Sequence, residues 1–97
     1  MTVEWSPAAL HDLDEIWMRI ARDSPGAAES VIDRFYDLVR LFTDFPMVGV
    51  QRDDLEPGMR LWPVGNYVVL HRVEGRAVTI VRVVWGGRDL TALLRGT

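Results

Sequence analysis

No cysteine and no lysine occur anywhere in the 97 residues. Without thiols, neither a disulfide framework nor a thiolate metal site can form, and a reducing compartment is the expected setting. The 11 basic residues are therefore all arginine, set against 14 acids for a net charge of -3. Binders of the phosphate backbone usually carry a strongly positive domain. The balance here argues against direct sequence-specific nucleic-acid binding. Arginine without lysine suits planar pairing and protein interfaces. Histidine is scarce as well, and neither His11 nor His71 belongs to a cluster with metal-ligand spacing. No metal and no cofactor are expected. No apolar run approaches the roughly 20 residues that span a bilayer. The opening stretch MTVEWSPAALHDLDEIW lacks the basic and apolar regions of a signal peptide. A soluble, cytoplasmic chain without membrane contact is the expectation. Repeats, low-complexity segments, G-x-G-x-x-G and the P-loop are missing too.

What is present reads as one folded domain over residues 1–97, since a 48% apolar fraction with dispersed charge suits a globular chain. Residues 1–45 hold a short strand, TVEW at 2–5, and two amphipathic helices. Ser6-Pro7 and Ser24-Pro25 each place a capping hydroxyl before a proline suited to the first helical turn. Leu10, Leu13, Ile16, Trp17 and Ile20 recur at helical spacing, opposite His11, Asp12, Asp14, Glu15 and Arg19. Ala28, Val31, Ile32, Phe35, Leu38, Val39 and Phe42 form the second stripe, which ends before Pro46. Two such helices joined by a short turn should pack as an antiparallel hairpin. Residues 46–58, rich in proline, glycine and charge, read as a loop. Three strands succeed it in a meander over 59–85: MRLW (59–62), NYVVLHRV (66–73) and AVTIVRVVW (77–85). The segment 86–97 starts at Gly86-Gly87 and offers one helical turn. The expected fold is α+β, with a helical hairpin on a mainly antiparallel four-stranded sheet in the order β-α-α-β-β-β.

Neither face of that sheet is polar. Tyr67, Val69, His71 and Val73 alternate with Val68, Leu70 and Arg72. Ala77, Thr79, Val81, Val83 and Trp85 alternate with Val78, Ile80, Arg82 and Val84. A sheet with one wet face should alternate cleanly. The helical hairpin covers one face only, and a single C-terminal turn is not expected to cover the other. An apolar face left open marks an interaction site, and Arg60, Arg72 and Arg82 share its parity.

Individual residues admit plainer readings. His11 lies among acids on a helix and reads as solvated, while His71 reads as a half-buried structural histidine. Asp53, Asp54 and Glu56 form a loop run of acids, most simply solvated. Arg82 and Arg88 have two readings. As a pair they clamp a phosphate or carboxylate; alternatively Arg88 pairs with Asp89 or a helix-end carbonyl and fixes the C-terminal segment.

The order and spacing of VEWSPAALHDLDEIW, AAESVIDRFYDLVRLFTDFPMVGVQRDDLEPGMRLWPVGNYVVLHRV and VTIVRVVWGGRDL resemble the ParE branch of the RelE/ParE toxin superfamily over nearly the whole chain. Its elements are the early Ser-Pro-x-Ala-x-x-Asp-Leu, the Pro-x-x-Gly after the second helix, the Gly-x-Arg entering the sheet, and the final Arg-Val-x-x-Gly-x-Arg-Asp. The resemblance implies a toxin of a bacterial toxin–antitoxin module, held in a hetero-oligomer by a ParD-like antitoxin and acting on DNA gyrase without a hydrolytic site. The partner groove is expected at Arg60, Trp62, Leu70, Arg72, Ile80, Arg82 and Trp85, and the target contact at Arg88 and Asp89. Trp85 stands where ParE-like chains commonly have histidine, and tryptophan suits an interface.

The alternative is the superfamily's ribosome-dependent mRNA endonuclease branch, which resembles RelE. That branch carries lysines after the helices, an arginine in the middle strand and a C-terminal Tyr or His. Here the corresponding residues are Arg52, Val68 or Val69, and Leu93-Leu94, so only Arg88 matches. A third reading is a toxin-fold interaction protein without toxicity.

Overall fold

Ser6 and Ser24 start the helices as their sequence context predicts. The Ser6 hydroxyl accepts from the Ala9 N–H at 3.0 Å and the Ser24 hydroxyl from the Ala27 N–H at 3.2 Å, each with proline next in the first turn. A computed structural model describes residues 1–94. It contains β1 (Thr2–Trp5), α1 (Pro7–Ala21), α2 (Pro25–Asp44), β2 (Val50–Gln51), β3 (Arg60–Val64), β4 (Tyr67–Glu74), β5 (Ala77–Trp85) and α3 (Leu90–Leu94). Residues 95–97 of the expected C-terminal segment lie outside the described residues.

The sheet runs β1-β5-β4-β3-β2. β1 lies parallel to β5, reached through the helical hairpin, and the other neighbours are antiparallel. Two-residue turns join β3 to β4 and β4 to β5, with Gly65 (φ 58°) and Gly75 (φ 59°) as first central residues, where a type II′ turn requires glycine. A fifth strand, β2, arises inside the expected loop and pairs only with Arg60 and Leu61. β3 also extends past its expected end to include Pro63. Beyond Leu61 the outer edge of β3 has no paired strand, so a residue without an N–H is tolerated there.

On the helical side, Ala9, Leu13 and Ile16 of α1 and Phe35, Leu38 and Phe42 of α2 bury Val64, Val69, Val78, Ile80 and Val83. Truncating Phe35 or Phe42 to alanine should cost about 3–5 kcal/mol. The opposite side contradicts the expected open face. Met59, Leu70, Val84 and Leu93 are buried there, with Leu55, Leu61, Val68, Val81, Leu90 and Leu94 packed around them. One short C-terminal turn does suffice. Three of the five residues of α3 are leucines directed at the sheet, and the loop before β3 supplies Leu55 and Met59.

The expected face assignment fails at one point in β5. Leu70 pairs with Arg82 but His71 pairs with Ile80, so Val81 is an extra residue in a β-bulge. The bulge breaks the parity of β5. Val78 and Ile80 face the helices, whereas Val84 joins the far-side cluster.

Candidate functional site

The seven residues expected to form one partner groove are not gathered. Ile80 lies in the helical-side core and Leu70 in the far-side core, both fully buried. Arg60 is paired with His71 across the strands, and Trp62 with Val69, so both belong to the helical side. Arg72 lies on the far side and binds Glu56 at 2.6 Å and also Glu74. Those bonds, that to Glu74 foremost, push the guanidinium of Arg72 above its ordinary range. Trp85 is exposed at the end of β5.

Arg82 turns across the edge of its strand. Its Nε and Nη2 donate to the two oxygens of Asp12 at 2.7 and 2.8 Å, and the same carboxylate accepts the Val83 N–H at 2.9 Å. Asp12 is only 6% exposed, so sequence periodicity misplaces it among solvated acids. The Ser6 hydroxyl donates to the Val81 carbonyl at 2.7 Å. Past the end of β1, α1 thus closes the edge of β5 with side chains instead of a strand. Hydrogen bonding to Asp12 drives the Arg82 guanidinium further up. Arg82 is therefore committed to Asp12 instead of being open for a clamp with Arg88.

His71 is fully buried rather than half-buried. Its ring stacks on Phe42 with centroids 4.2 Å apart, and Nε2 lies 2.9 Å from the Val48 carbonyl, which makes Nε2 the protonated nitrogen. Burial pushes the imidazole below its ordinary value, and the nearby Arg60 acts in the same direction. Arg60 Nη1 donates to the adjacent Gly49 carbonyl at 3.1 Å. Gly49 has φ 104°, and a Cβ there would stand 2.5 Å from the Leu61 carbonyl oxygen. Three anchors therefore fix the chain at 48–49. The loop acids are also committed: Asp54 pairs with Arg52 at 2.8 Å, Asp53 accepts the Gly58 N–H at 2.8 Å, and Glu56 holds Arg72. His11 is exposed as expected, 3.0 Å from Glu15.

Two of the open surfaces among the described residues bear on function. The first runs along the outer side of α2. A cleft of about 290 Å3 between α2 and β3 includes Arg34, Leu41, Trp62 and Pro63, and shares Leu41 with an apolar concavity of about 580 Å3 formed by Leu41 and residues 44–48. At its mouth Phe45 and Met47 are 63% and 59% exposed. In the sequence the rim is hard to see, because Pro46-Met47-Val48 opens the proline- and glycine-marked loop 46–58 directly after Phe45. The apolar run itself was the available signal.

The second surface is the turn after β5. The Arg88 N–H closes it onto the Trp85 carbonyl at 3.1 Å, and the Gly86 N–H ties it to the Asn66 carbonyl at 2.9 Å. The indole of Trp85 lies across Gly87, where a Cβ would collide with it, and the residue is 59% exposed. Asp89 does not pair with Arg88. Its Oδ1 accepts the Ala92 N–H at 3.2 Å, capping α3. Arg88 has no side-chain partner among the described residues.

The family model described as ParE toxin of type II toxin-antitoxin system, parDE, matches residues 3–90. This chain belongs to the ParE toxin family. Toxin ParE3 of Caulobacter vibrioides is 31% identical over 84 residues, covering 86% of this chain and 84% of that protein. The chromosomal ParDE toxin–antitoxin system of P. aeruginosa contains a chain of the same fold, with a TM-score of 0.75 and 23% identity, covering 88% and 95% of the two chains. A chain of the RelBE2 toxin–antitoxin complex from Mycobacterium tuberculosis aligns at TM-score 0.53 and 25% identity, with 87% and 95% covered. The ParE match includes β1, both long helices and the whole sheet, and it ends at Leu90, where α3 begins.

Proposed function

We propose that this ParE-family toxin is held inactive in a hetero-oligomer by a ParD-like antitoxin, and that it acts by binding DNA gyrase rather than by catalysis. The observation that carries the antitoxin assignment is the open α2 rim, where Phe45 and Met47 stand exposed beside an apolar concavity. An apolar helical segment suits this groove better than an added strand, because Pro63 on the open edge of β3 has no N–H to offer one. The groove thus replaces the partner surface expected on the sheet. The antitoxin reading also agrees with the ParDE and RelBE2 neighbours, both described as toxin–antitoxin assemblies.

For the target, among the described residues the ribonuclease reading retains only Arg88 of the cations it needs, since Arg82 is bound to Asp12. In-line phosphodiester cleavage calls for a base or several cations around the transition state. Purified toxin should therefore inhibit gyrase supercoiling or trap cleaved DNA, and unchanged supercoiling at saturating toxin rejects gyrase. Codon-dependent mRNA cleavage during translation in vitro, lost in Arg88→Ala, would establish the RelE-like alternative.

A further inference from the structure

We infer that Trp85 and Arg88 together form the anchor by which this toxin grips its protein target, on a surface separate from the antitoxin groove; the inference rests on the reading of the chain as a toxin that acts by binding. A tryptophan 59% exposed at the end of a strand leaves apolar area in water that any neighbouring fold could have covered. Here the ring is held rather than loose. It rests across Gly87, and the turn beneath it is closed by the Trp85–Arg88 and Gly86–Asn66 hydrogen bonds. Arg88, three residues on, projects from the same turn with no partner among the described residues, while its neighbour Asp89 is used up as a helix cap. Binding energy at interfaces concentrates in tryptophan and arginine that reach the partner with little ordering left to do.

The pair selects its partner by chemistry. An indole needs a flat apolar slot, and a guanidinium from the same turn, without a partner among the described residues, needs an anion, best a carboxylate that can take both N–H groups in a fork. A nucleic acid could also offer a stacking face and a phosphate. However, a chain with 14 acids, no lysine and a net charge of -3 is poorly suited to a polyanion. The fitting partner is a protein whose surface sets a carboxylate beside an apolar slot. Asp89, expected from the sequence to contact the target, instead fixes α3, and Trp85 takes its place.

The test uses the full chain with Trp85→Ala, Arg88→Ala and Arg88→Lys. Growth arrest on induction without antitoxin and inhibition of gyrase supercoiling are both read, while thermal midpoint and antitoxin co-purification report the fold. Trp85→Ala and Arg88→Ala should each raise the toxin concentration for half-inhibition at least tenfold, with midpoint and antitoxin capture unchanged. Arg88→Lys should fall well short of wild type. Variants as potent as wild type in both assays overturn the inference while leaving the gyrase reading standing. Wild-type growth arrest without gyrase inhibition removes that target, and variant loss of arrest then still supports the anchor. A wild type harmless in both assays overturns both. Equal loss of antitoxin capture overturns the separation of surfaces. Quenching of tryptophan fluorescence by a single-stranded oligonucleotide, lost in Trp85→Ala, overturns the choice of a protein partner.

Discussion

On the far side of the sheet, Leu70, Val84 and Met59 lie sealed beneath Leu93 of the chain's own terminal helix. At the α2 rim, Phe45 and Met47 point outward, and no part of the described chain covers them. Both regions are rich in apolar side chains. They differ in whether a later segment of the chain returns to cover them. Gly86 and Gly87 let the backbone double back, Asp89 starts a helix, and its leucines reach the far side. The rim loop is instead fixed from behind by His71 and Arg60, which hold the carbonyls of Val48 and Gly49 while Phe45 and Met47 stay exposed. Apolar content alone does not identify an interface; the proposed antitoxin site rests on a groove that the described chain leaves uncovered.

Substitutions in the closed parts should lower stability and leave binding alone, and those at the rim should do the reverse. Outside the helical-side core, the largest effect is expected at Asp12. Asp12→Ala removes both bonds to Arg82 and orphans the Val83 N–H, and should cost about 3–4 kcal/mol in chemical denaturation. A loss under 1 kcal/mol would place the pair among weak surface contacts. Next is Leu93→Ala, which opens the far-side cluster at a cost of about 2–3 kcal/mol and should increase binding of a hydrophobic dye. Unchanged stability would mean that α3 does not seal this face. Phe45→Asp, at an exposed position, should leave the denaturation midpoint in place and weaken antitoxin binding at least tenfold, about 1.4 kcal/mol, by titration calorimetry. Full affinity in this variant would move the antitoxin off the rim.

The smallest effect is one of pH. Because burial lowers the pKa of His71 in the folded chain, the unfolded chain takes up the proton first as pH falls. The stability contribution of neutral His71 is complete above its ordinary value of 6.5 and declines as pH drops below it. Denaturation midpoints between pH 7 and 5 should fall in the wild type and vary less in His71→Phe. Equal slopes would mean that His71 does not titrate across unfolding.

Much of this architecture is legible in the residues. The two Ser-Pro pairs mark both helix starts, β5 occupies 77–85 as its β-branched run indicates, and the resemblance to ParE-like chains extends to the family that the chain belongs to. The unread parts share a cause: each depends on contacts between segments far apart in sequence. The bulge at Val81 leaves no trace in an alternating run, yet it moves Ile80 to the other side from Val84. Asp12 looks like any helix-surface acid until β5 brings Arg82 and the Val83 N–H to it, some 70 residues later. The closure by α3 depends on leucines read as a marginal final turn. For the site, Arg88 and Trp85 are both exposed, but the sequence cannot show which arginines already have partners.

Amide hydrogen exchange of the toxin, alone and bound to its antitoxin, tests the division between closed faces and open rim most directly. Strands β4 and β5 should exchange slowly in the free protein and change little on binding, while new protection appears over residues 41–50 and 60–64. Fast exchange across Val68–Arg72 and Val81–Val84 in the free toxin, quenched by the antitoxin, would contradict the account and show that the far side is closed by the partner.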